Sequence, residues 1–128
     1  INEGVNKLME EELIKLGLFS KAEVQKQDPE LPLFKKYFMH GTAHFLGLDV
    51  HDVGEYQIDG ESRELEPGMV MTGEPGIYIP LNDTSVRKCF RGVGIRIEDD
   101  IAITRDKPLV LSGGLVKTVA DIEALMAG

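Results

Sequence analysis

The sequence has a single cysteine, Cys89, and can close no internal disulfide. That predicts a reducing compartment, the cytoplasm, with the thiol as a small buried or half-buried side chain rather than a nucleophile. No apolar run approaches the roughly 18 residues of a membrane span, which argues against an integral membrane protein. The first residues are charged and helix-like, unlike a signal peptide. Positive charge is scarce: 14 Lys and Arg against 22 Asp and Glu leave a net charge of −8. A phosphate-binding surface wants the opposite sign, so nucleic acid is not expected as a partner. Internal repeats and low-complexity stretches are missing too. So is an initiator methionine: the chain begins Ile1-Asn2-Glu3 inside what reads as a helix, and is expected to be a piece of something longer. Its 128 residues, 42% apolar and 28% charged, suit one soluble globular domain with one core.

Along the chain, Val5, Leu8, Met9, Leu13 and Leu16 recur at helical spacing, and Gly17 suits a left-handed helix end. Residues 20–36 read as a short helix or loop, and Lys36 to Asp52 as an extended segment broken by turns. Glu55 to Glu66 is a polar surface excursion. Two Glu-Pro-Gly triplets follow, at 66–68 and 74–76, both predicting type II turns. Short strands are expected at 69–72, 77–79 and 108–111, with a loop over 81–91. From Gly94 to Thr104, Ile95, Ile97, Ile101 and Ile103 share one face while Arg96, Glu98 and Asp100 share the other. Asp99 is the odd residue on the apolar face and predicts a bulge or bend. Thr118 caps a closing helix with Val119, Ile122 and Leu125 on its inner face. The composite is α+β, helices on a mostly antiparallel sheet.

The three histidines, His40, His44 and His51, fall within twelve residues. His40 and His44 have the four-residue spacing of a helical zinc site, but no glutamate lies between them, so that reading fails. Glu74 ends a short apolar strand immediately before a Pro-Gly pair. Glu98 sits on the polar face of a strand beside Arg96; such a glutamate either lines a cavity or pairs with that arginine at a sheet surface. One imidazole and two carboxylates would make a hard site suited to manganese, cobalt or zinc.

The string His40-Gly-Thr-Ala-His44-Phe-Leu-Gly-Leu-Asp49-Val-His51-Asp52-Val-Gly54 resembles the histidine signature of the proline-directed metallopeptidases of the pita-bread fold. Leu65 to Ile79 and Gly92 to Ile101 resemble two further signatures of that superfamily, in the right order, and Lys117 to Met126 looks like its last helix. The connection from Leu81 to Gly94 is more similar to aminopeptidase P than to prolidase. The resemblance covers nearly all of residues 1–128. It implies the C-terminal half of a pita-bread catalytic domain, with a mostly antiparallel curved sheet and helices on one side.

By that resemblance His44, Glu74 and Glu98 match metal ligands, Glu98 in the bridging place between two divalent ions, manganese first and cobalt or zinc as alternatives. Glu74 also matches the group that handles the proton of the attacking water, and His51 the group that stabilises the oxyanion. His40 matches a substrate-pocket residue and Arg96 an arginine that holds the charge network. The substrate implied is a peptide with proline second, cut to release its first residue. Gly73 departs from the family's larger residue there. The family's two aspartate ligands have no counterpart before His40, so the chain carries three of five expected ligands. Alone it is expected to hold one ion weakly or none, to be inactive, and to form a homodimer over the face left by the missing half. His44, Glu74 and Glu98 are expected to share one cavity. The alternatives are a prolidase-type dipeptidase and a metal-free peptide-binding module descended from the family; the retained ligand types favour an enzyme.

Overall fold

A computed structural model describes all 128 residues, Ile1–Gly128. In chain order it contains α1 (Asn2–Lys15), α2 (Lys21–Val24), β1 (Gln57–Ile58), β2 (Glu61–Ser62), β3 (Val70–Gly73), β4 (Gly76–Tyr78), β5 (Gly94–Arg96), β6 (Asp99–Ala102), β7 (Leu109–Val110) and α3 (Val119–Met126). Helices with antiparallel strands make it α+β, as expected. The chain forms two compact units: Ile1–Thr42 with Glu74–Arg96, and Ala43–Gly73 with Ile97–Gly128.

The first unit is built on a helix. Met9 and Leu13 of α1 are buried among Phe19, Phe34, Tyr37, Phe38, Ile79 and Val86, with Val5, Ile14 and Leu18 against them. The apolar stripe is narrower than the sequence suggests, because Leu8 and Leu16 are exposed. Gly17 ends the helix as anticipated: its φ is +74°, Leu18 N–H donates to Leu13 O and Gly17 N–H to Ile14 O. Those two bonds make a Schellman motif, which a glycine adopts without a Cβ penalty. Residues 20–24 form the short helix, opened by a Ser20/Glu23 capping box. That Ser-x-x-Glu pattern is a helix-start signal the reading of residues 20–36 overlooked. A 3-10 turn at Leu33–Lys36 brings Tyr37 and Phe38 into the core, where both are fully buried. β4 and β5 pair antiparallel, Gly76 opposite Arg96 and Tyr78 opposite Gly94.

In the second unit β6 is the central strand of three, flanked by β3 and β7. Val70 pairs with Ala102 and Gly73 with Asp99. Met71 also bridges Phe45 on the other edge of β3, so the 44–46 segment adds to that edge. The Glu66-Pro67-Gly68 turn is confirmed by a bond from Met69 N–H to Glu66 O (3.1 Å) and a φ of +101° at Gly68.

Several expectations need correction. Gly76 lies in β4, paired with Arg96, and has no positive φ among the residues that do; the second Glu-Pro-Gly triplet is therefore not a type II turn, because ladder pairing holds its glycine extended. Residues 55–66 are exposed but for half-buried Arg63, the surface excursion expected, and within it β1 and β2 form a hairpin whose Asp59 and Gly60 have φ of 53° and 83°, the type I′ geometry that Asp-Gly favours. The strand expected over 94–104 is two strands, β5 and β6, separated at Ile97–Glu98, close to the bend predicted at Asp99. Thr118 does cap α3, accepting from Asp121 N–H. But Val119 (73%), Ile122 (44%) and Leu125 (68%) are exposed, and α3 buries no residue. Its apolar face has nothing packed on it, so spacing alone misassigned it as inner. Cys89 is exposed, not buried, because it sits in a short 3-10 turn (Lys88–Phe90) on a loop.

Candidate functional site

In the first unit the chain leaving buried Phe38 presents His40 at the end of β4. The His40 Nδ1 lies 2.7 Å from Gly41 O and Nε2 lies 3.0 Å from Tyr78 Oη. A carbonyl can only accept, so Nδ1 carries a proton, and in the neutral ring Nε2 accepts from the phenol. The ring also sits edge-on to Phe38 and Tyr78, with centroids 5.0 and 5.4 Å away. Tyr78 can reach back only because residue 76 has no side chain: a Cβ on Gly76 would meet the Tyr78 hydroxyl at 2.5 Å. Tyr78 N–H in turn donates to Tyr37 O at 2.8 Å, which fixes the strand against the core. His40 is thus held in one orientation.

Glu74 and Arg96 belong to the same unit. Glu74 N–H donates to Thr42 O at 2.7 Å, setting the backbone just before β4. Arg96 Nε lies 3.7 Å from Glu74 Oε2, with the carboxylate side chain 15% exposed and the guanidinium 51%. The pair is long for a hydrogen bond and acts chiefly through charge.

The remaining candidates lie in the second unit. His44 is pinned to β3 twice: its N–H donates to Thr72 Oγ1 (3.1 Å) and its carbonyl accepts from Thr72 N–H (2.9 Å). Its Nδ1 donates to Phe45 O at 3.0 Å, which fixes the orientation of the ring. That is the arrangement seen for metal-ligating histidines, where a hydrogen bond at one nitrogen orients the other toward the ion. His51 stands edge-on to His44, ring centroids 4.3 Å apart, so the histidine motif does bring these two together. Glu98 occupies the two-residue connection between β5 and β6. The next residue, Asp99, accepts from Ser112 Oγ (2.5 Å) and Lys117 Nζ (2.9 Å). The Ser112 hydroxyl first, and Lys117 after it, hold the Asp99 carboxyl below its usual range.

The structure gathers no group of three or more His, Cys, Asp or Glu side chains into a metal cage. One imidazole and two carboxylates are donor types that suit a hard divalent ion. Sequence reasoning missed Tyr78 and the Asp99 partners. Tyr78 lies 38 residues from His40, and no local pattern signals such a pairing.

Comparison with known proteins identifies the family. The model of metallopeptidase family M24 matches residues 1–105. The chain is 50% identical over 125 residues to the Xaa-Pro aminopeptidase of Escherichia coli K12, covering 95% of this chain and 27% of that protein. Among solved structures, Pseudomonas aeruginosa aminopeptidase PepP superposes with a TM-score of 0.80 at 51% identity, over 90% of this chain and 26% of that one. E. coli aminopeptidase P with the inhibitor Pro-Leu gives a TM-score of 0.82 at 45% identity, over 99% of this chain and 29% of that one. The chain spans about a quarter of the length of the relatives it matches. Their fold is the pita-bread fold the motifs predicted. With three ordered motifs, an α+β fold shared at these identities and a matching family model over most of its length, this chain belongs to metallopeptidase family M24.

Proposed function

We propose that this chain contributes part of the active site of a metal-dependent aminopeptidase that releases the N-terminal residue from peptides with proline second. The observation that carries the reading is the family match over residues 1–105, together with His44 held against β3 by Thr72 and edge-on to His51. The relatives named Xaa-Pro aminopeptidase supply the substrate class. His44, Glu74 and Glu98 would hold the ion or ions, manganese first among the candidates. A divalent ion bound there would polarise the scissile carbonyl and acidify water.

The chain's own residues supply the rest. Glu74 takes the proton of the attacking water, with Arg96 Nε 3.7 Å from its Oε2. His51, edge-on to His44, donates to the oxyanion. His40, locked by Gly41 and Tyr78, forms a rigid wall for the substrate's proline ring. Lacking counterparts of the two aspartate ligands, the chain alone turns over no Xaa-Pro peptide at a useful rate.

Titration with Mn²⁺, followed by calorimetry, tests the ligand assignment. Binding should weaken at least about tenfold in His44→Ala and in Glu98→Ala, and should survive Glu66→Ala, an exposed control. Equal binding in all four proteins would remove the assignment. The exposed apolar side chains of α3 and of Leu48, Val50 and Val53 favour a homodimer; a clean monomer in sedimentation at micromolar concentration would contradict it. No helix is long and apolar enough to cross a membrane, and the exposed free thiol of Cys89 suits the reducing cytoplasm.

A further inference from the structure

We propose that Asp99, Ser112 and Lys117 form a polar latch that positions Glu98, the residue immediately before the latched aspartate. The proposal rests on the reading of Glu98 as a metal ligand.

Asp99 is the polar residue left over on an otherwise apolar strand face, and none of the roles assigned above uses it. Its neighbours explain it. Asp99 Oδ1 accepts from Ser112 Oγ at 2.5 Å and from Lys117 Nζ at 2.9 Å. The Ser112 hydroxyl then accepts from Asp100 N–H at 3.0 Å, so one oxygen joins the side chain of residue 99 to the backbone of residue 100. Leu111 N–H donates to Asp100 O at 2.8 Å. Lys117 Nζ also reaches Ser112 O (3.1 Å) and Leu115 O (3.3 Å), tying the 112–117 turn into the same group.

The placement matters because β6 begins at Asp99. Strand ends fray, and the first residue of β6 is paired on one side only, with Gly73, while the β6–β7 ladder starts two residues later at Ile101. The Ser112 hydroxyl and the Asp99 carboxylate take over where that ladder stops. They hold the first two residues of β6 on the side the sheet leaves open. Glu98 leaves the strand directly upstream, so the direction of its Cα–Cβ bond follows from how firmly residue 99 is held. Metal bonds of about 2 Å tolerate misplacement of only about half an ångström. Asp99, Ser112 and Lys117 are therefore positioning residues, one step removed from the ion.

The test uses the ¹⁵N-labelled chain, first without metal. Ser112→Ala should raise amide exchange at Asp100 about tenfold and shift the Glu98 backbone resonances, and Ser112→Thr should restore both. Lys117→Met, which keeps the hydroxyl bridge, should give a smaller change of the same sign. Mn²⁺ titration then reads the consequence: the concentration that half-broadens the Glu98 amide should rise about tenfold in Ser112→Ala and return toward wild type in Ser112→Thr. Glu98 resonances and Asp100 exchange unchanged in Ser112→Ala would overturn the latch. A wild-type chain whose Glu98 amide ignores Mn²⁺ would count against the metal reading, while the metal-free measurements still decide the latch.

Discussion

The two units of this chain are held together by different physics. In the first, α1 and the aromatic run Phe34, Tyr37 and Phe38 bury an apolar cluster of eight side chains. In the second, of the apolar side chains only Met71 is buried; order comes from the β3–β6–β7 ladder and from polar staples such as Thr72 on His44 and Ser112 on Asp99. Burial is non-directional and insensitive to small displacements, whereas hydrogen bonds fix angles. The first unit thus carries His40, Glu74 and Arg96 on a buried apolar base, and the second is a frame in which polar bonds hold His44 against β3 and fix Asp99 beside Glu98.

The contrast breaks most sharply in a core deletion. Leu13 is fully buried, and Leu13→Ala should cost about 2–5 kcal/mol by denaturant unfolding. The Met9-to-Val86 cluster should lose protection first in hydrogen exchange. If β3 and β6 amides lose protection before α1 does, the two units are not the separate foundations described.

A smaller effect sharpens the electrostatic side of the first unit. Asp83 accepts from Lys36 Nζ, Tyr37 Oη, Ser85 N–H and Ser85 Oγ. Lys36 foremost, then Ser85, hold its carboxyl far below the ordinary carboxylate range. A depressed carboxylate pKa means the unfolded chain takes up the proton first. Its stabilisation is complete above the unfolded value of about 4 and is lost as pH falls through the lower folded value. Melting temperatures of the native chain should therefore drop as pH is lowered below about 4, and Asp83→Asn should flatten that drop. An identical acid slope in both proteins would show that other carboxylates control acid unfolding.

Much of the first unit could be read from sequence because its signals are local. Periodicity marked α1, and a glycine followed its last turn. The histidine, Glu-Pro-Gly and Arg-x-Glu motifs picked out His40, His44, His51, Glu74, Arg96 and Glu98 within contiguous strings. What escaped was set by distant or competing contacts. The triplet at 74–76 has turn chemistry, but pairing with Arg96 straightens Gly76. The Asp59–Gly60 hairpin was locally encoded and simply missed. The face of α3 cannot be assigned by spacing, since spacing says which residues share a side and not what covers it. Asp99 was flagged as an anomaly, but its partners lie 13 and 18 residues downstream, beyond any strand periodicity.

The central claim is that these residues serve cleavage beside proline and need the rest of the site to do so. The direct measurement is release of the first residue from a proline-second tripeptide with added Mn²⁺, by this chain alone and then mixed with a separately made N-terminal half of the catalytic domain. The account predicts no useful turnover from the chain alone, activity on mixing, loss of that activity in Glu98→Ala, and little cleavage when alanine replaces the second-position proline. Robust metal-dependent turnover by the chain alone, abolished by Glu98→Ala, would contradict it.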